Sequence, residues 1–233
     1  MSVQWHEFPD AQSAAAALAG AVAADLRAAL AAQGGAVLAV SGGRSPIAFF
    51  QALSQQDLAW DKVSVTLVDE RLVPTDHEDS NTRLVRAHLL QNRAAAAQWL
   101  PVIDDGADAA DLADTARAVA YALKHYRRPD VAVLGMGGDG HTASLFPQSP
   151  QLADGLNRDY PQPLLHTTPQ TAPHERISMT LAQIEAAGRV YLAIGGAEKR
   201  RVYGQAAAAE NPAYPVSCVL HSEKADCHVY YHD

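Results

Sequence analysis

Only two cysteines, Cys218 and Cys227, occur in the 233 residues, too few for a disulfide framework or a cysteine-built zinc site. Two reduced thiols in a cytoplasmic protein are expected. Positive charge is also scarce, with 18 Lys and Arg against 26 Asp and Glu and a net charge of -8. A general nucleic-acid binder needs a broad basic surface to displace counterions, so that class of partner is excluded. An anionic small molecule is not, because a few cations converging in one cleft outweigh a distant acidic surface. No Lys or Arg precedes Arg27, so the start of the chain lacks the positive flank of a secretory signal. The longest apolar run, Ala14 to Ala24, is mostly alanine and stops at Asp25. A bilayer span needs about 20 residues, and no membrane association is expected.

What is present is the balance of a chain that folds around a core, 48% hydrophobic and 19% charged. There is no internal repeat, and composition never shifts enough to mark a boundary, so residues 1–233 read as a single domain. Short β-branched runs alternate with helical stretches, the pattern of an α/β fold with an open, mostly parallel sheet and helices on both faces. A first helix is predicted from Asp10 to Ala32, with Leu18, Val22, Leu26 and Leu30 as its apolar stripe. Strand Ala36–Val40 follows, then a glycine turn and a helix opening at Pro46. Strand Val63–Val68 leads into a polar loop over Asp69 to Ser80, then a helix from Asn81 to Ala97. A further helix covers Ala109 to Tyr126, and strand Asp130–Gly135 comes after Pro129. Pro147 to Pro173 reads as loop with a short strand near Leu164, and Ile177 to Ala187 as helix. Strand Val190–Gly196, a helix from Ala197 to Ala209 and a last strand at Cys227–Tyr231 complete the order.

Ligands of an open parallel sheet bind beyond the carboxyl ends of the strands. Four strands here run straight into glycine-rich or charged sequence: Ser41-Gly42-Gly43-Arg44-Ser45-Pro46, Asp69-Glu70-Arg71, Gly135-Met136-Gly137-Gly138-Asp139-Gly140-His141 and Gly195-Gly196-Ala197-Glu198-Lys199. The first has the chemistry of an anion cradle, with backbone N–H groups, two hydroxyls and a helix N-terminus; the plainer alternative is an ordinary strand-to-helix turn. The spacing of a P-loop nucleotide site is absent. Gly135 to Gly140 satisfies G-x-G-x-x-G, but it follows a late strand and Pro147 curtails any long helix, so no dinucleotide is expected. What remains is a loop presenting Asp139 and His141, a candidate general base beside a carboxylate, or else a solvated loop histidine. Asp69-Glu70-Arg71 reads either as an exposed charge cluster or as Arg71 facing a ligand with Asp69 or Glu70 orienting it. Asp79-Ser80-Asn81 is a helix N-cap. His228 and His232 are taken as surface residues, and no histidine shows metal-ligand spacing.

Together, VSGGRSP, LVDERLVP with its following DSN, LGMGGDGHTASLFP and ERISMT resemble the bacterial type of 6-phosphogluconolactonase, a family similar in fold to glucosamine-6-phosphate deaminase and so Rossmann-like in its layout. The likeness runs from about Val40 to Lys199 in order, and GDGHTASLFP is its specific part. Arg44 stands where many relatives carry Ser or Thr.

The resemblance implies a carboxylic ester hydrolase that opens the δ-lactone of 6-phosphogluconate in the pentose phosphate pathway. It places the phosphate on Ser41, Gly42, Gly43, Arg44 and Ser45, with Arg176 and Lys199 completing the anion pocket. His141 would stand near the lactone carbonyl as general base, Arg71 would steady the oxyanion, and Asp139 would fix the imidazole tautomer. No cofactor and no metal enters this chemistry, the partner is a small sugar phosphate, and the chain is expected as a monomer or weak homo-oligomer. An amino-sugar-phosphate deaminase or isomerase, and a non-catalytic sugar-phosphate sensor, are the alternatives. In the deaminases the His loop resembles Asp-Gly-His followed by a Glu just before a Pro. Here Phe146 stands at that position, before Pro147.

Overall fold

The computed structural model describes residues 3–43 and 45–233. Strand β1 (Gln4–Phe8) precedes helix α1 (Ala11–Gln33), whose first turn is capped by the Asp10 carboxylate accepting from Ser13 N–H at 2.7 Å. Though long and apolar enough to cross a bilayer, α1 packs on the sheet through Leu18, Val22 and Leu26, all at most 2% exposed. Next come β2 (Ala36–Val40), α2 (Ile47–Ser54), β3 (Val63–Leu67), β4 (Asp69–Arg71), α3 (Asn81–His88) and β5 (Gln98–Trp99). The middle of the chain forms α4 (Ala109–Ala113), α5 (Thr115–His125), β6 (Val131–Gly135), α6 (Leu152–Leu156), β7 (Leu164–Thr167) and β8 (Arg176–Met179). The last elements are α7 (Leu181–Glu185), β9 (Arg189–Gly195), α8 (Ala197–Ala206), α9 (Val216–Leu220) and β10 (Cys227–His232).

Seven strands form one parallel sheet in the order β1-β10-β9-β6-β2-β3-β5. Every residue of β3 is buried, as are nearly all of β2 and β6. Strands buried at successive positions have both faces covered, which is the predicted α/β layout. From β2 the chain moves outward to β3, and from β6 the sheet continues the other way to β9. The β2/β6 boundary is therefore a switch point, where a crevice opens beyond the strand ends.

The structure corrects several expectations. Asp69-Glu70-Arg71 is not loop: β4 joins β8 and β7 in a separate antiparallel sheet. Val68 is the link, donating to Val40 O at 3.0 Å on one side and accepting from Met179 N at 2.8 Å on the other. Ile177 to Ala187 is likewise not one helix, since Arg176–Met179 is strand and the helix starts only after Thr180. The helix expected over Ala109 to Tyr126 breaks at Asp114, whose side chain caps α5 by accepting from Arg117 N–H at 3.0 Å. An Asp gains more as a cap than inside a helix. α3 stops at His88, followed by a short 3-10 turn over Asn92–Ala96. His228 is not a surface residue: its side chain is 14% exposed, wedged between Arg189 and His6. Both cysteines are buried free thiols, and burial pushes Cys227 up to about 12.

Candidate active site

Beyond the β2/β6 switch point lies an open cleft of about 650 Å³. The β2 loop supplies Ser41, Gly42, Gly43 and Ser45 to one wall, and Lys199 from the first turn of α8 lines the same space. Ser41 staples this loop to β6, donating its N–H to Val133 O at 2.9 Å and accepting Gly135 N–H on Oγ at 3.2 Å. Position 42 must be glycine, because a Cβ there would stand 1.9 Å from the Asn81 side chain. Burial pushes the Lys199 ammonium below its ordinary range, the expected cost of holding a cation in a cleft. Arg44, expected in this group, lies outside the described residues.

His141 enters from the loop after β6. Asp139 Oδ1 accepts twice from it, from the backbone N–H at 3.1 Å and from the ring Nδ1 at 2.6 Å. With its proton fixed on Nδ1, the neutral ring carries its lone pair on Nε2. The ring needs the space left by Gly137, whose Cβ would come within 2.2 Å of it. Its face rests on Phe146, ring centroids 4.1 Å apart. Burial pushes the Asp139 carboxyl up, but the hydrogen bonds and charge of His141 outweigh that and hold it below the usual range.

The antiparallel sheet adds two guanidinium groups. Arg71 ends β4 and Arg176 opens β8, and both line the cleft. The Arg71 guanidinium donates to the carbonyl of Asp79, and Arg176 donates to Pro173 O at 3.0 Å and His174 O at 3.4 Å. Arg176 also lies over the Phe146 ring, 5.6 Å from its centroid. Burial pushes Arg176 below the ordinary arginine range.

Of the two acids in this segment only Asp69 lines the cleft. It accepts from Ser144 Oγ at 2.6 Å, and its carbonyl accepts from Asn81 Nδ2 at 2.9 Å. Glu70 is 0% exposed and turned toward α3. Its carboxylate accepts from the N–H groups of Arg71, Asn81 and Thr82 and from the hydroxyls of Ser80 and Thr82. Burial pushes this carboxyl up, and those donors pull it back toward the charged form. Ser80 is the N-cap of α3, as the sequence indicates.

The structure thus brings Ser41, Gly42, Gly43, Ser45, Arg71, His141, Arg176 and Lys199 to one cleft, with Asp139 behind His141. Sequence reasoning missed Asn81 and Phe146 as lining residues. Asn81 read as part of a cap, and nothing in a phenylalanine before a proline distinguishes a cleft wall from core.

A sequence profile described as glucosamine-6-phosphate isomerases/6-phosphogluconolactonase matches residues 9–229. A 6-phosphogluconolactonase of Neisseria meningitidis serogroup A is 57% identical over 227 residues, covering 97% of this chain and 98% of that protein. The crystal structure of a 57% identical Neisseria gonorrhoeae protein superposes with a TM-score of 0.97 and full coverage of both chains. A 6-phosphogluconolactonase of Shewanella baltica, 38% identical, gives 0.88 and covers 100% of this chain and 98% of that one. A monomeric glucosamine-6-phosphate deaminase shares the fold at a TM-score of 0.76 and 17% identity, covering 99% and 97% of the two chains.

Proposed function

The chain belongs to the family of glucosamine-6-phosphate isomerases and 6-phosphogluconolactonases, and from that premise we propose the division of labour by which it opens its lactone. The protein hydrolyses 6-phospho-D-glucono-1,5-lactone to 6-phosphogluconate, a carboxylic ester hydrolysis in the oxidative pentose phosphate pathway. The observation that carries the mechanism is the 2.6 Å contact from Asp139 to His141 Nδ1, which leaves Nε2 as the basic atom in a cleft that Arg71, Arg176 and Lys199 also line.

The phosphate sits on Ser41, Gly42, Gly43, Arg44 and Ser45, with Arg176 and Lys199 neutralising it. Nε2 of His141 takes a proton from water as the water oxygen bonds to the lactone carbonyl carbon. Arg71 stabilises the resulting oxyanion, a type of electrostatic contribution that is usually the largest single one. The imidazolium then protonates the ring oxygen as the carbon–oxygen bond breaks, and the product acid ionises to water. General base catalysis of this kind contributes about 10²–10⁴-fold. Asp139 holds the tautomer throughout.

No step uses a metal or cofactor. One hydrophobic core joins α1 with strands of both sheets, which supports reading residues 1–233 as a single domain. We place the enzyme in the cytoplasm, as a monomer or weak homo-oligomer without nucleic-acid or membrane partners. The test is a coupled assay on freshly generated lactone against its spontaneous hydrolysis. Acceleration absent with the phosphorylated lactone, or equal with unphosphorylated gluconolactone, would overturn the assignment.

A further inference from the structure

Beside the cleft, three metal-ligating side chains converge that have no part in the mechanism above. His77 and Asp79 lie between β4 and α3, and His174 lies between β7 and β8. Their donor atoms all lie within 4.8 Å of one another. Asp79 Oδ2 is 2.9 Å from His174 Nε2 and 4.0 Å from His77 Nδ1. Donors around a tetrahedral ion at bond lengths of about 2.0–2.1 Å sit about 3.3 Å apart. The set would need to close by about 1.5 Å or less.

The arrangement has more than an ion pair requires. Asp79 and His174 satisfy each other with one hydrogen bond, yet His77 is also brought edge-on to His174, ring centroids 5.5 Å apart. His77 Nδ1 accepts the Asp79 N–H at 3.1 Å, so that nitrogen is unprotonated, and an ion bound there takes over its lone pair from this hydrogen bond. His174 holds a left-handed backbone, φ 69°, which residues other than glycine rarely adopt. The three side chains are 38%, 49% and 27% exposed, which leaves an entry path and room for a water as a further ligand.

We propose that His77, Asp79 and His174 form a binding site for one divalent transition-metal ion of the zinc class on the rim of the cleft. Two imidazoles and a carboxylate suit zinc, cobalt or nickel and not magnesium or calcium, which need mostly oxygen donors. Arg71 donates to the carbonyl of Asp79 and Arg176 to that of His174. Their positive charge keeps affinity modest, and a filled site ties together the two loops that hold both guanidinium groups. The ion acts through those arginines, on substrate affinity through Arg176 and on the oxyanion through Arg71, and itself touches no bond that breaks.

The experiment titrates the metal-stripped full chain with Co²⁺, read by visible absorption, and with Zn²⁺, read by calorimetry. One ion per chain is expected. Binding should weaken by about tenfold or more in both His77→Gln and His174→Asn, the asparagine chosen because it tolerates the left-handed backbone. It should persist in His141→Ala, which removes the imidazole of the cleft itself. Zn²⁺ should change both KM and kcat in the wild type, and neither in His77→Gln. Absence of stoichiometric binding, binding that survives both rim substitutions, or binding lost in His141→Ala would each overturn the proposal. Circular dichroism of each variant confirms that lost binding is not lost folding.

Discussion

Arg71 and Arg176 are direct partners across the antiparallel pairing of β4 with β8. Like charges in register on adjacent strands repel, and no carboxylate forms a salt bridge with either among the described residues. The carbonyls of Asp79, Pro173 and His174 and the face of Phe146 hold the two groups in place. An arriving anion relieves the repulsion, so the pairing makes this corner of the cleft a trap for phosphate or for developing negative charge.

This gives a first prediction. Inorganic phosphate or sulfate should raise the melting temperature and compete with substrate, a ligand at 100 times its Kd stabilising by about 2.7 kcal/mol. Arg176→Met or Lys199→Met should abolish most of that stabilisation and raise KM by about 1.5–3 kcal/mol of lost charge-assisted bonding. Calorimetric scans with and without anion, beside steady-state kinetics, check both. Anion stabilisation unchanged in the variants would move the phosphate elsewhere.

A second prediction concerns the base. His141→Ala should lower kcat by about 10²-fold or more while KM moves little, because the loss is confined to the transition state. Asp139→Asn should also lower kcat, since its amide can present a donor to Nδ1 and favour the wrong tautomer. The Asp139 carboxyl is depressed, so its contribution is complete above the ordinary Asp value of about 3.9 and is lost only as pH falls through the lower folded value. Steady-state kcat of both variants beside the wild type checks this, and an unchanged kcat in His141→Ala would remove the residue from the mechanism.

How much of this was legible in the sequence depends on how local each interaction is. β2, β3, β6 and β9 were readable because a strand covered on both faces is a β-branched run, and the loops after them announce themselves by glycine. The antiparallel sheet was not. β4 is three charged residues, and only pairing with the distant β8 makes it a strand. β8 in turn reads in the sequence as the start of a helix, since Ile177 and Met179 fit an apolar stripe as well as an alternating one. The partner of each site residue is equally nonlocal. His141 finds Asp139 two positions away, which the sequence suggests, while the ring of Phe146 joins His141 to Arg176 only once both sheets are assembled.

The third prediction follows from Glu70. Its two oxygens accept five hydrogen bonds and donate none. In Glu70→Gln one oxygen becomes an NH₂ facing donors, whichever way the amide turns. Each buried donor left unsatisfied costs about 1–3 kcal/mol, so the variant should lose about 3 kcal/mol or more of stability in urea. Because Glu70 anchors Asn81 and the strand carrying Arg71, activity should fall even where the variant remains folded. A neutral substitution would mean that α3 holds its place without the carboxylate.

The last prediction separates two branches of one fold. The deaminase loop resembles Asp-Gly-His with a Glu placed to polarise the histidine that opens the sugar ring. In this protein Phe146 occupies the end of the loop, and its ring covers a face of His141 at 4.1 Å. A phenyl group neither accepts nor relays a proton, so the imidazole has Asp139 as its carboxylate partner in this loop. Arg71 lines the same cleft; it suits an anionic tetrahedral intermediate and adds nothing to abstraction of a proton from carbon. Phe146 also lies under Arg176, so replacing it by Glu would bring in a carboxylate that pairs with the arginine rather than serving the histidine. The expected outcome is no ammonia from glucosamine 6-phosphate, either for the wild type or for Phe146→Glu, under conditions where the wild type turns over the lactone. An ammonia electrode or a coupled dehydrogenase assay reads this directly, and release at a rate comparable to lactone opening would place the chain on the deaminase branch.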